Sequence, residues 1–295
     1  LSTQEYKTTA MLMEELKKLD LEFPAQQPAT GVIALLRGGK PGPTLVLRAD
    51  IDALPIEESR DHQIRSENCG VMHACGHDFH TAAGLGAAMA LSRQRDSLPG
   101  NVLFLFQPAE EGVRGAKSIV EKGHLDDVDF VIGNHISNRS AKAGDADLIP
   151  GIYSSLATTK LDVVYKGKAS HAGAAPHLGN NALLAAASAV MNLNAIPRNG
   201  DGATRINVGT LNAGSGRNVI PDEAFMEIEL RGETTALNQY MCDNARRILE
   251  SAAAMYQCDC EIKLVGAADS LSSDEALCLR IRDVAAALGM PVSET

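Results

Sequence analysis

The 295-residue sequence carries 27 basic and 37 acidic side chains, a formal net charge of −10, which argues against a nucleic-acid or anionic-membrane partner. A hydrophobic fraction of 45% and a charged fraction of 22% describe an ordinary globular chain, long enough for two domains rather than one. The longest apolar stretches, Ala82–Leu91 and Ala182–Leu193, are too short to cross a bilayer.

Six cysteines could form three disulfides, but a chain of this size has no need of staples. No charged-then-apolar leader opens the sequence. The expectation is therefore reduced thiols and a cytoplasmic protein.

In chain order, Tyr6, Ala10, Met13, Leu16 and Leu19 recur at helical spacing and predict an amphipathic first helix. Short apolar runs follow at Val32–Leu36, Thr44–Leu47, Val102–Phe106 and Val128–Ile132. The first two flank Gly38-Gly39-Lys40-Pro41-Gly42-Pro43, which predicts a hairpin. Helical patterns at His77–Arg93 and Val113–Lys122 alternate with the later runs, so the class is α/β with a largely parallel sheet.

A second unit begins near Ile149-Pro150-Gly151. Its predicted order is strand Ala157–Tyr165, helix Asn181–Leu193, strands Thr204–Leu211 and Ala224–Leu230, helix Ala236–Tyr256 and strand Asp259–Leu264. That is the β-α-β-β-α-β order of a ferredoxin-like α+β sandwich. A polar link, Gly266–Ser273, leads to a further helix over Glu275–Leu288, and Met290–Thr295 reads as the start of another strand. The predicted organisation is one domain of residues 1–150 and 266–295, with 151–265 inserted.

Functional groups in open α/β sheets gather beyond the carboxyl ends of the strands. Here Asp50 and Asp52 follow one predicted strand, Glu110 and Glu111 a second, and His135 a third. The segment His73-Ala74-Cys75-Gly76-His77-Asp78-Phe79-His80 stands directly before a helix. Thiolate, imidazole and carboxylate together suit Zn²⁺ or Mn²⁺ better than Mg²⁺. Taken singly, Cys75 reads as a buried apolar residue and the histidines as solvated loop groups, and it is their joint placement at the ends of separate strands that favours a metal site. Adjacent carboxylates outside a helix point in different directions, so one of Glu110 and Glu111 can ligate a metal while the other takes a proton from attacking water. The same pair could instead simply open a helix, where negative charge is favourable. Pro108 favours an extended approach to a fixed turn.

The segments Asp50–Pro55, Met72–His80, Gln107–Gly112 and Asn134-His135 resemble those of the dinuclear-metal amidohydrolases, which include aminoacylases, hippuricase and glutamate carboxypeptidases. This resemblance covers essentially the whole chain. It implies two divalent metal ions, Zn or Mn, held by Cys75, His77, Glu111 and His135. Glu110 matches the general base, and Asp52 the acidic residue that supports the metal site. Many relatives have a ligating histidine where Asp50 stands, and the Cys-Gly-His segment marks a branch in which that departure is expected. His73 and His80 have no clear counterpart among the ligands and are read as structural or as supports of the ligating residues. Asp78 is a candidate carboxylate partner for a ligating imidazole.

By the same resemblance the insertion is a lid that mediates dimerisation, with a second copy or with a related subunit. Its His171 matches the residue that reaches the partner's site and stabilises the oxyanion. Asn207, Arg217, Asn218 and Arg231 lie in segments suited to a substrate carboxylate, which guanidinium groups bind bidentately. The implied activity is hydrolysis of the amide bond of N-acyl or N-aroyl amino acids, p-aminobenzoyl-glutamate first and acetyl or hippurate-type substrates as the alternative. No histidine follows His177, whereas the family draws a further ligand from a C-terminal segment. The family's His-Pro-Glu segment is also lacking. The sequence thus reads as an internal piece, and the rival expectation is a non-catalytic metal-binding or dimerising module.

Overall fold

The structure is a computed structural model and describes residues 1–136, 148–152 and 154–293. The chain forms two compact units, Leu1–Ala141 and Lys142–Thr295. The carboxyl end of the first unit and part of the expected domain boundary fall outside the described residues.

In the first unit, α1 (Tyr6–Lys17), β1 (Val32–Arg37) and β2 (Lys40–Asp50) are followed by α2 (His77–Ser92), β3 (Pro99–Gln107), α3 (Gly115–Glu121) and β4 (Phe130–Gly133). The four strands form one mixed sheet in the order β1-β3-β2-β4. β3 pairs parallel to β2, β2 pairs parallel to β4, and only β1 runs antiparallel.

The hairpin predicted for the first two strands does not form, because β3 lies between β1 and β2. β3 carries the unbroken apolar run Val102–Phe106, buried on both faces, which favours a central place. The glycine-rich turn bonds to the entrance of β3 instead of to itself: Gly38 N–H donates to the Gly100 carbonyl, and Gly39 N–H to that of Arg95. A Cβ at Gly38 or Gly39 would collide with the backbone of residues 96–100. Glycine is what admits the close approach there.

Alternation along β3 assigns its side chains to two layers. Val102, Phe104 and Phe106 pack with Leu12, Leu16 and Ala88 of α1 and α2. Leu103 and Leu105 pack on the other face with Ile119 of α3. On α1 the buried stripe is Leu12 and Leu16, while Tyr6, expected on it, is exposed.

The second unit contains β5 (Ala157–Lys166), α4 (Ala182–Asn194), β6 (Thr204–Ala213), β7 (Glu223–Gly232), α5 (Thr235–Met255), β8 (Asp259–Ala268) and α6 (Glu275–Ala287). Its sheet has the order β6-β7-β5-β8, with every pair antiparallel. That is the split β-α-β arrangement expected of the sandwich. Leu161, Val163 and Tyr165 of β5 alternate inward with Met226, Ile228 and Leu230 of β7 onto Ala185, Ala189, Met241 and Leu249 of the helices. Asn181, Thr234 and Asp274 cap α4, α5 and α6 by accepting the third helical amide. Residues 266–293 also fall within this unit: Leu271 pairs with Ser155, and Val292 bridges Leu148. All six cysteines are free thiols. Among the described residues no helix is long and apolar enough to cross a membrane.

Candidate metal centre

Because β2, β3 and β4 are parallel, their carboxyl ends open on the same edge of the first sheet. Asp50 ends β2 opposite Gln107 of β3. Asp50 and Asp52 are both buried, and so are His77 and His80 on the first turn of α2. The i, i+3 spacing puts the two imidazoles on one face of that helix. Gly76, immediately before it, is left-handed at φ +79°, and a Cβ there would overlap the Ile136 side chain.

Asp52 joins these pieces. Its Oδ1 lies 3.2 Å from His77 Nδ1 and accepts the Glu110 N–H at 3.1 Å. Its Oδ2 accepts the Glu111 N–H at 3.1 Å and the Ser2 hydroxyl. Burial alone would raise the Asp52 pKa, but these donors outweigh it and hold the carboxyl at about 2.

With Nδ1 on Asp52, His77 turns Nε2 toward three carboxylates: Asp50 Oδ2 at 3.7 Å, Glu110 Oε2 at 3.9 Å and Glu111 Oε1 at 3.9 Å. Nε2 is buried and, among the described residues, has no hydrogen-bond partner. Burial lowers the His77 pKa. The bond to Asp52 and the charges of Asp50, Asp52 and Glu110 nevertheless leave it above the usual imidazole value. A buried nitrogen facing carboxylates without a bonded partner is what a divalent cation would complete. The residues present therefore fit such an ion.

Glu110 and Glu111 sit in a turn, four or more residues before α3 begins, so they do not open a helix. Nor do they diverge as expected: Ala109 is left-handed at φ +52°, and both carboxylates come within reach of the same His77 nitrogen. Burial, together with Asp50 and Glu111, pushes the Glu110 pKa up against the opposing pull of Arg48.

His135 Nε2 lies 3.3 Å from Cys75 Sγ, and its Nδ1 lies 2.6 Å from the Ile136 carbonyl. Burial first, then Glu111, Glu110 and Asp50, push the Cys75 thiol up to about 11. Three donor sets, Cys75/His77/His135, Asp50/His77/His80 and His77/Glu110/Glu111, each have their ligand atoms within 4.8 Å of one another, and all share His77.

All six residues read from the sequence as ligands, base or support in this unit are thus brought together. Asp78, the expected partner of a ligating ring, is exposed, and Asp52 takes that place for His77. His80 stands as a support behind Asp50. Its Nδ1 lies 2.5 Å from Asp50 Oδ1, and its Nε2 accepts the Ile136 N–H at 2.8 Å. Arg48, missed in the sequence, pairs with Asp50 at 2.9 Å and donates to Gln107 at 2.8 Å. Only its place two residues before Asp50 on the same strand face could have signalled it.

The remaining candidates belong to the second unit. His171 is exposed, and its Nδ1 accepts the Gly173 and Ala174 N–H groups at 3.2 and 2.9 Å. The ring proton of the neutral form therefore sits on Nε2. His171 bridges Val219, which brings it beside the exposed Arg217 and Asn218. Asn207 on β6 pairs with Glu229 of β7, whose carboxylate is forked by Arg231 at 3.0 Å twice.

Comparison with known proteins bears on this arrangement. The family profile described as Peptidase family M20/M25/M40 matches residues 46–295. A p-aminobenzoyl-glutamate hydrolase homolog of Haemophilus influenzae is 45% identical over 262 residues, 86% of this chain and 61% of the relative. Indole-3-acetyl-aspartic acid hydrolase of Enterobacter agglomerans is 46% identical over 264 residues, 87% of this chain and 60% of the relative. Among solved structures, an aminobenzoyl-glutamate utilization protein from Klebsiella pneumoniae aligns with a TM-score of 0.83 at 34% identity, covering all of this chain and 79% of that one. A dinuclear metal binding peptidase of the M20 family from Bacillus subtilis aligns at 0.70 and 32% identity, covering all of this chain and 77% of that one. The chain spans about three fifths of the length of these curated relatives.

Proposed function

This chain belongs to the peptidase family M20/M25/M40, and on that premise we propose that it is a metal-dependent amidohydrolase cleaving the amide bond of N-acyl or N-aroyl amino acids. The observation that carries this reading is His77 Nε2, buried without a hydrogen bond and faced by Asp50, Glu110 and Glu111. The substrate class rests on the relatives: p-aminobenzoyl-glutamate and indole-3-acetyl-aspartate both join an aromatic acyl group to a dicarboxylic amino acid. We take p-aminobenzoyl-glutamate as the first substrate to test.

Cys75, His77, Glu111 and His135 would hold two divalent cations, zinc or manganese, and when bound such ions polarise the scissile carbonyl and acidify water. Asp52 fixes the ring of His77 and the amides of the Glu110–Glu111 turn. Glu110, whose burial favours proton uptake, takes the proton of the attacking water and returns it to the leaving nitrogen. His171 offers Nε2–H to the developing oxyanion of a partner's site. Arg217 and Asn218, with Asn207 and Arg231, are assigned to the substrate carboxylate. Arg217 has the strongest support, because Arg231 is already paired with Glu229.

We assign residues 151–265 to an inserted lid and dimerisation domain, and 1–150 with 266–295 to the catalytic domain. Beyond the resemblance, α6 supports this division: it buries only Ala285, whereas α4 buries five residues and α5 seven. The partner is a second copy or a related chain, and the compartment that suits six free thiols is the cytoplasm. A hydrolysis screen with metal-reconstituted protein tests the proposal. Release of the free amino acid from p-aminobenzoyl-glutamate is the expected result. Turnover of no N-acyl or N-aroyl amino acid would favour a non-catalytic module.

A further inference from the structure

We propose that Glu5 is the positioning residue for the Glu110–Glu111 turn, which makes the segment before α1 a working part of the centre. The inference rests on the hydrolytic reading above. Glu5 lies 104 residues from the turn and is only 4% exposed. Its Oε1 accepts the Ala109 N–H and the Thr3 N–H, each at 2.9 Å, and its Oε2 accepts the Thr30 hydroxyl at 2.7 Å. A buried carboxylate is costly to place unless its oxygens are satisfied. Here the satisfying donors are what join three distant segments.

The amide it holds is the one that matters for aiming the turn. Ala109 is left-handed at φ +52°, a conformation that a residue with a Cβ adopts only when its surroundings impose it. From one side, the Ala109 carbonyl accepts the Arg114 and Gly115 N–H groups at 3.2 and 3.3 Å, and a Cβ at Gly115 would collide with the Pro108 carbonyl. From the other side, three consecutive amides donate to two buried carboxylates: Ala109 to Glu5, then Glu110 and Glu111 to Asp52. Glu5 supplies the first of these anchors. The same N-terminal segment also reaches the second, through the Ser2 hydroxyl on Asp52. Without Glu5, Ala109 loses the acceptor that holds its amide in the left-handed turn, and both glutamates lose their common aim at His77.

The test compares Glu5→Ala and Glu5→Gln, the second of which keeps a carbonyl oxygen for the Ala109 amide. In the metal-free chain, hydrogen exchange at Ala109, Glu110 and Glu111 should quicken about tenfold or more in Glu5→Ala, with the Leu103–Leu105 amides of β3 unchanged. Glu5→Gln should restore most of the protection. In the metal-loaded protein, kcat on p-aminobenzoyl-glutamate should fall about 10- to 100-fold in Glu5→Ala with KM within about twofold, and recover in Glu5→Gln. If Glu5→Ala fails to fold, Glu5→Asp, one methylene shorter, should give the same local loss of protection. Unchanged exchange at 109–111, or equal loss throughout β3, would overturn the inference. If the wild-type protein hydrolyses nothing, the proposed function fails, while the exchange measurement still decides the role of Glu5.

Discussion

The carboxylate of Asp52 lies 3.2 Å from His77 Nδ1 while also accepting the amides of Glu110 and Glu111. One side chain thus sets both the ring orientation of a candidate ligand and the backbone of the turn that carries two more acidic groups. Outer partners of this kind typically contribute about 10–100-fold to metal affinity or activity. Asp52→Ala should therefore weaken zinc binding by that factor and lower turnover at saturating metal, as measured by metal titration and steady-state kinetics. Wild-type affinity in this variant would show that His77 is oriented by something else.

Glu110 is the carboxylate whose pKa is raised by burial and by neighbouring acids. In the proposed role of proton carrier, its loss should cost about 10²–10⁴ in kcat. Glu110→Ala is expected to show that fall while keeping wild-type metal stoichiometry by elemental analysis. Retention of wild-type activity would remove Glu110 from the mechanism.

His171 presents its Nε2–H outward because Nδ1 is occupied by two backbone amides. A donor to an oxyanion is worth about 10²–10³ in kcat. His171→Ala should lower kcat by that order and leave metal content untouched. Parallel loss of metal would instead place His171 among the ligands.

The second unit gives a pH-dependent prediction of stability. Burial pushes the Cys260 thiol up to about 11 and the Tyr165 hydroxyl upward as well. A raised pKa on an acid that is neutral when protonated favours the folded state below the unfolded value, near 9 for a thiol. That contribution is lost as pH rises through the folded value. The metal-free protein should therefore lose up to about 2 kcal/mol between about pH 9 and 11 from Cys260, the full effect being reduced by the partial exposure of the thiol. In Cys260→Ala, urea melts across this range should show a smaller decline. An identical decline would assign the effect to other groups.

Much of this was legible in the sequence because it depends on local pattern. Short apolar runs located the strands of both sheets, and helical spacing located the helices to within a few residues. The acidic candidates and His135 stood out because they closely follow parallel strands, where topology forces them to one edge, and Cys75 and His77 because they crowd the segment that opens α2. What escaped reading depends on pairing across long separations. The glycine-rich turn between Arg37 and Lys40 reads as a hairpin until β3, about sixty residues later, takes the place between its strands. Glu5 and Ser2 carry no local signal, since each acts through a partner that only the folded chain brings near, and Arg48 has only its place on the strand face of Asp50. The convergence of Glu110 and Glu111 follows from a left-handed alanine, a conformation sequence gives no reason to expect.

If Cys75, His77, Glu111 and His135 gather around bound cations, X-ray absorption at the zinc edge of the reconstituted protein should show one sulfur scatterer at about 2.3 Å beside nitrogen and oxygen at about 2.0–2.2 Å. The sulfur should be lost in Cys75→Ser and the nitrogen shell depleted in His77→Ala. A spectrum of light scatterers alone, unchanged by either substitution, would mean that these four side chains do not share a metal.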